Sequence, residues 1–107
     1  MDNYPLPLPA VRALAKLGRD ISLARRRRRL SQASLAERSG IGLNTLRRLE
    51  KGEPSGSIEH LARTLHVLGE IERLEHLLDT GADTVGLAMM DEALPQRVRR
   101  RRSTGAL

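Results

Sequence analysis

Residues 31–52, SQASLAERSGIGLNTLRRLEKG, decide the fold, because their spacing describes two short helices joined by a tight turn. Ser31 suits an N-cap, since its hydroxyl accepts from a free backbone N–H of the first turn. Ser34 has no Glu or Gln side chain to complete a capping box, so the start rests on Ser31. Leu35 and Ala36 form a small apolar face, Glu37 and Arg38 face water, and Gly40 takes the left-handed conformation that ends a helix. Ile41 plugs the turn. From Leu43 to about Lys51 the next helix buries Leu46 and Leu49 and partly covers Thr45. Asn44, Arg47, Arg48 and Lys51 recur at i, i+3, i+4 and i+7, which gives that helix a polar, cationic outer face.

A short helix with an apolar back and a front of amide and guanidinium groups matches what the DNA major groove requires, where Arg pairs bidentately with guanine and Asn with adenine. Taken alone, charge at helical spacing more often marks an ordinary solvated face. The flanking residues decide between the two.

Upstream, residues 1–9, MDNYPLPLP, alternate Pro with Leu, and each residue before a Pro is pushed towards extended conformations, so no helix is expected there. A flexible arm is the default, and a strand that docks on a partner is the alternative. From about Ala10 to Arg29 a scaffold helix places Val11, Leu14, Gly18, Ile21 and Ala24 or Arg25 on one face. Its basic end, Arg25 to Arg29, resembles a short nuclear-localisation patch, but it sits inside a helical pattern, and four of its five residues should point to solvent or phosphate.

Downstream, Glu-Pro-Ser-Gly makes a loop, and Ser57 or Ser55 opens a fourth helix with Ile58, Leu61, Ala62, Leu65 and Leu68 as its buried face. Gly69 separates it from a fifth, Glu70 to about Leu78, with Ile71, Leu74, Leu77 and Leu78 on one side. Thr80 to Asp83 reads as a turn, and Val85 to about Leu94 as a short helix or irregular apolar segment that Pro95 ends. Within it, Met89 and Met90 fit either a buried core or an adaptable partner surface. The last stretch, QRVRRRRSTGAL, carries five Arg and reads as a tail. Free solvation, a second DNA arm and a partner-docking arm all suit it.

The 107 residues contain no repeat and one aromatic residue, Tyr4, so the core must be aliphatic and base stacking on aromatic platforms is excluded. A chain of this size buries a modest core, and folding that leans on a partner subunit fits it. Cys is absent, which removes disulfides, thiolate zinc sites and thiol nucleophiles and suits a reducing cytosol. No apolar run approaches bilayer length and no signal peptide opens the chain, so a cytoplasmic location is expected. The net charge of +6 is unevenly spread: residues 1–48 carry 11 basic and 3 acidic groups, residues 49–96 carry 3 and 10, and residues 97–107 carry 5 and none. The half that holds the two short helices is the cationic half, as a phosphate-facing surface should be.

Catalytic chemistry finds no support. His60, His66 and His76 make no metal-ligand spacing, and no phosphate-binding glycine loop, dinucleotide fingerprint or nucleophile elbow occurs. Neither an enzyme nor a bound metal or cofactor is expected.

The series Leu17, Ile21, Ala24, Arg25, Leu30, Ser31, Gln32, Leu35, Ala36, Gly40, Ile41, Thr45, Leu46, Leu49, Glu50 and Gly52 resembles the Xre, phage-repressor-like helix-turn-helix family over residues 17 to about 78. More narrowly, RRLEKGEPSGSIEHLARTLHVLGEIERL (47–74) followed by GLAMMDEALPQRVR (86–99) is similar to HipB-like antitoxins encoded beside HipA-like kinases. The resemblance implies an all-α, compact five-helix, lambda-repressor-like domain with a C-terminal extension. We accordingly expect a Pro-rich arm at 1–10, a DNA-binding domain at 11–79, and a C-terminal segment with a basic tail at 80–107.

The resemblance further implies a structural ion pair between Arg25 and Glu50, tying the first helix to the third. On DNA it implies Gln32 as an anchor on phosphate or a base edge, Asn44 and Arg48 as base readers, and Arg47, Lys51, Arg26, Arg27, Arg28 and Arg29 as backbone contacts. Leu43 holds the leading exposed position of the recognition helix, where family members often carry a polar reader; it either touches a thymine methyl or leaves fewer hydrogen bonds to bases at that position. The implied partners are a palindromic double-stranded operator, a second copy of the chain paired through the fifth helix, and a HipA-like kinase toxin or a subunit of its complex. A fifth helix that only closes the monomer core is the alternative to that pairing. Against the whole functional reading stands a helical interaction module whose basic face binds an acidic protein without any operator.

Overall fold

The computed structural model describes residues 5–54 and 56–93. Among them the protein is all-α, with no strand: α1 Leu8–Arg27, α2 Gln32–Ser39, α3 Leu43–Glu50, α4 Ile58–Leu68, α5 Ile71–Glu75, a short 3₁₀ turn Thr80–Ala82, and α6 Thr84–Ala93. The chain divides into two compact units, Met1–Leu74 and Glu75–Leu107. The division falls earlier than the expected boundary at residue 79. Among the described residues no helix is long and apolar enough to cross a membrane.

The helix ends of the first unit follow from local chemistry. Ser31 Oγ accepts from Ser34 N at 3.0 Å, and Ser57 Oγ accepts from His60 N at 3.1 Å, so both hydroxyls satisfy an orphan donor of the helix they cap. Gly40 (φ 71°) and Gly69 (φ 80°) close α2 and α4 in the left-handed region. α1 ends the same way but on an arginine: Arg29 has φ 57°, and Leu30 N donates back to Arg25 O at 3.2 Å. A residue with a Cβ holds that conformation at a cost of roughly 1–2 kcal/mol.

Ile21, Leu35, Ala36, Leu46 and Leu68 are the buried apolar core, and Leu17, Ala24, Leu30, Ile41, Leu49, Leu61 and Val67 pack around it. α2 rests on α4 and α3, and α3 also rests on α1. Leu35 and Leu46 are fully buried, each contributing about 1.5–3 kcal/mol. Thr64 is equally buried, a core position that its polar side chain conceals in the sequence. Its hydroxyl donates to His60 O at 2.9 Å, so its burial leaves no orphan donor.

Several expectations need correction. α1 begins at Leu8 rather than Ala10, because Pro9 sits in the first turn, where a missing N–H costs nothing, while Pro7 O accepts from Ala10 N and Val11 N. The arm therefore does not extend to residue 10, and the remainder of that expectation, residues 1–4, lies outside the described residues. Val11 is exposed, because the first turns of α1 run beyond the buried stripe that starts near Leu14. Ile58 is 78% exposed, since it opens α4 ahead of the stripe that Leu61, Thr64 and Leu68 carry. The fifth helix stops at Glu75 instead of Leu78. A single turn is not self-sustaining without a packed face, and beyond it Leu77 and Leu78 are exposed.

In the second unit Asp83 Oδ1 accepts from Gly86 N at 2.9 Å and starts α6. Val85, Met89 and Met90 are exposed on it. The arginine tail, Leu94 and Pro95 lie outside the described residues.

Candidate nucleic-acid interface

α3 begins after Gly42, whose extended backbone supplies the cap position without a side-chain bond. Leu46 faces the core and Leu49 is half-buried, which turns Asn44, Arg47, Arg48 and Lys51 outward, all four exposed. Leu43 is half-buried rather than exposed: as the first residue of α3 it still has one flank against the protein. Arg47 leans on Asn44 at 3.5 Å, the outer limit of a hydrogen bond. Arg48 and Lys51 make no side-chain hydrogen bond or ion pair with any other described residue.

α3 is held at its far end by charge. Arg25 Nε donates to Glu50 Oε2 at 2.7 Å, a second guanidinium nitrogen reaches Oε1 at 3.2 Å, and the third donates to Leu30 O at 2.9 Å. The two side chains are 12% and 7% exposed. The planar fork of Arg matches a carboxylate bidentately, so one residue ties the end of α1 both to α3 and to the chain entering α2. Gln32 completes the group: its Nε2 donates to Glu50 Oε1 at 2.9 Å. One of the two hydrogens on that amide nitrogen is thus committed inward.

The basic run at the end of α1 is not uniform. Arg26, Arg27, Arg28 and Arg29 are all exposed. Arg28 is nonetheless engaged, donating to Ala24 O at 2.8 Å and pairing with Glu70 at 3.4 Å. Arg26 makes a long bond of 3.4 Å to Ser22 O. Arg27 and Arg29 make no side-chain bond to any other described residue. Further along α1, the hydrogen bond from Lys16 holds the Asp20 carboxyl below its usual range; desolvation opposes the shift, and the charges of Lys16, Arg19 and Arg27 add to it. Among the described residues no group of three His, Asp or Glu side chains is placed to hold a metal ion.

A close backbone approach seats α1 on the end of α3. A Cβ at Gly18 would lie 2.5 Å from Glu50 O and 2.7 Å from Gly52 N, and one at Gly52 would lie 2.6 Å from Leu14 O. Gly52 also has φ 76°. Periodicity marks Gly18 as inward-facing, but nothing local pairs it with Gly52. The Gln32–Glu50 bond was likewise invisible, because it joins residues 18 apart on different helices.

The model of the family described as Helix-turn-helix matches residues 21–76. Neither the curated proteins nor the solved structures yield a match. The matched span holds the Ser31 cap, the Gly40 turn, the outward face of α3 and the Arg25–Glu50 pair. The chain belongs to the Xre-type helix-turn-helix family, and its domain is that of a DNA-binding transcriptional regulator.

Proposed function

We propose that this protein is a sequence-specific transcriptional repressor that binds a palindromic operator upstream of its own gene as a homodimer, in the cytoplasm. The observation that carries the reading is the outward face of α3, where Asn44, Arg47, Arg48 and Lys51 are exposed together on a helix seated by Leu46 and the Arg25–Glu50 pair. Asn44 and Arg48 read base edges. Arg47, Lys51, Arg26, Arg27 and Arg29 position the phosphate backbone, and Leu43 packs its exposed flank on a thymine methyl. Arg28 contributes charge while remaining tied to Glu70. The similarity of residues 47–74 and 86–99 to HipB-like antitoxins supports a narrower role as the autoregulating antitoxin-type partner of a HipA-like kinase.

A gel shift tests the repressor reading, using duplex DNA from upstream of the gene against scrambled competitor. Preferential retardation of the upstream duplex supports it. Equal retardation of both, or none, favours an interaction module that binds an acidic protein instead. Co-expression with an adjacent kinase gene tests the narrower role, which fails if the kinase is equally toxic with and without this chain.

A further inference from the structure

We infer that Glu70 is a counter-charge that limits how tightly the arginine run at the end of α1 holds the DNA backbone, by occupying Arg28 against the phosphate. The inference rests on the DNA-binding reading above and adds a residue that sets affinity for DNA of any sequence.

Glu70 follows Gly69, the left-handed residue that closes α4. Its backbone is held on both sides: Glu70 N donates to Leu65 O at 2.8 Å, and Glu70 O accepts from Arg73 N at 3.1 Å as α5 begins. The carboxylate is therefore presented from an anchored main chain. Across 42 residues of sequence, Oε2 accepts from Arg28 at 3.4 Å. Oε1 faces Arg73 at 3.6 Å. Arg28 is steered towards Glu70 by its other terminal nitrogen, which donates to Ala24 O at 2.8 Å. Among the described residues, Arg28 alone of the exposed arginines 26–29 pairs with a carboxylate.

Phosphate and carboxylate compete for the same guanidinium, because both are anions that accept from its N–H groups. Arg28 reaches a phosphate only by giving up Glu70, or else it keeps Glu70 and brings a negative charge to the backbone. Either way it releases fewer counterions from DNA than a free arginine does. The two side chains are 36% and 34% exposed, and ion pairs this open to water shift an equilibrium by up to about fivefold. That is weak enough for a phosphate to win and large enough to measure.

The test substitutes Glu70→Gln, which keeps the shape of the side chain and removes its charge. Binding is measured to duplex DNA from upstream of the gene and to scrambled duplex over a salt series, for the wild type, Glu70→Gln, Arg28→Ala and the double variant. Glu70→Gln should bind both duplexes about two- to fivefold tighter at low salt, with their ratio unchanged. It should also steepen the plot of log K against log salt by up to about one unit. Arg28→Ala should flatten that plot by about one unit in the Glu70→Gln background and by less in the wild type. The gain from Glu70→Gln should vanish once Arg28 is alanine.

Unchanged affinity and slope in Glu70→Gln would overturn the inference. So would a gain that persists in full without Arg28, which would make Glu70 a general repulsive charge, or a gain confined to the upstream duplex, which would place it in base readout. Both backbone bonds of Glu70 survive the substitution, so Glu70→Gln should unfold close to the wild-type temperature. Should it unfold instead, Glu70→Ser, which also removes the charge and suits a helix start, must give the same gain; failure to do so overturns the inference. A wild-type protein that binds neither duplex would sink the DNA-binding reading and this inference together, whereas wild-type binding that Glu70→Gln leaves unaltered sinks the inference alone.

Discussion

Gly18 and Gly52 meet backbone to backbone: a Cβ built on Gly18 comes within 2.7 Å of Gly52 N, and one on Gly52 comes within 2.6 Å of the Ala15 Cα. This approach lets α1 lie close enough to the end of α3 for Arg25 to grip Glu50. Gly18→Ala should therefore destabilise the protein, although alanine in a helix interior is intrinsically favoured by about 1 kcal/mol. The clash is with backbone, which yields only by moving a helix, and overpacking of this kind costs about 1–3 kcal/mol. Chemical denaturation of the variant should show a lower midpoint; an unchanged or raised midpoint would mean that the two segments separate freely.

Glu50→Ala should be more damaging. It leaves the Arg25 guanidinium, 12% exposed, without its carboxylate, and removing one member of a buried pair costs about 3–5 kcal/mol. Gln32 loses its acceptor in the same step. Thermal unfolding reads the effect, and a melting temperature equal to wild type would show the pair to be energetically idle.

Arg29→Gly should stabilise the fold and weaken DNA binding at once. Glycine relieves the left-handed strain at φ 57°, worth roughly 1–2 kcal/mol, and returns about 0.5–1 kcal/mol through unfolded-chain entropy. The net expectation is a gain of up to about 1.5 kcal/mol. Loss of one phosphate contact should flatten the plot of log K against log salt by about one unit. A variant both more stable and unchanged in salt slope would remove Arg29 from the interface.

Within the rest of the interface, base readers and backbone contacts separate by their behaviour on two DNAs. Arg48→Ala or Asn44→Ala should cost about 1–3 kcal/mol on the specific duplex with little change on random DNA. Arg27→Ala should weaken both alike and flatten the salt dependence by about one unit. Arg28→Ala should flatten it less, because that side chain is already held by Ala24 O and Glu70. Titrations over a salt series decide this, and equal losses for Arg48→Ala on both duplexes would refute the assignment.

The proposed homodimer carries a geometric requirement. Two copies of α3 related by a two-fold axis should lie about 34 Å apart and face half-sites one helical turn apart. Sedimentation together with footprinting checks it. A monomer at micromolar concentration, protecting a single half-site, would count against the assembly.

What the amino-acid sequence determined by itself lies within one or two turns of helix. Ser31 and Ser57 cap, Gly40 and Gly69 terminate, and the spacing of Leu35, Ala36, Leu46 and Leu49 orients two short helices, because hydroxyl reach, left-handed backbone and a period of 3.6 are local properties. The outward face of α3 was legible for the same reason. Only the tertiary structure decided where those helices end up against one another. It joined Gln32 to Glu50 across 18 residues and Arg28 to Glu70 across 42, and it brought Gly18 onto Gly52. It also buried Thr64 and exposed Ile58, Leu77 and Leu78 against their polarity. Each of these depends on how elements cross, and hydropathy along one strand of sequence carries no record of the neighbour that supplies or withholds cover.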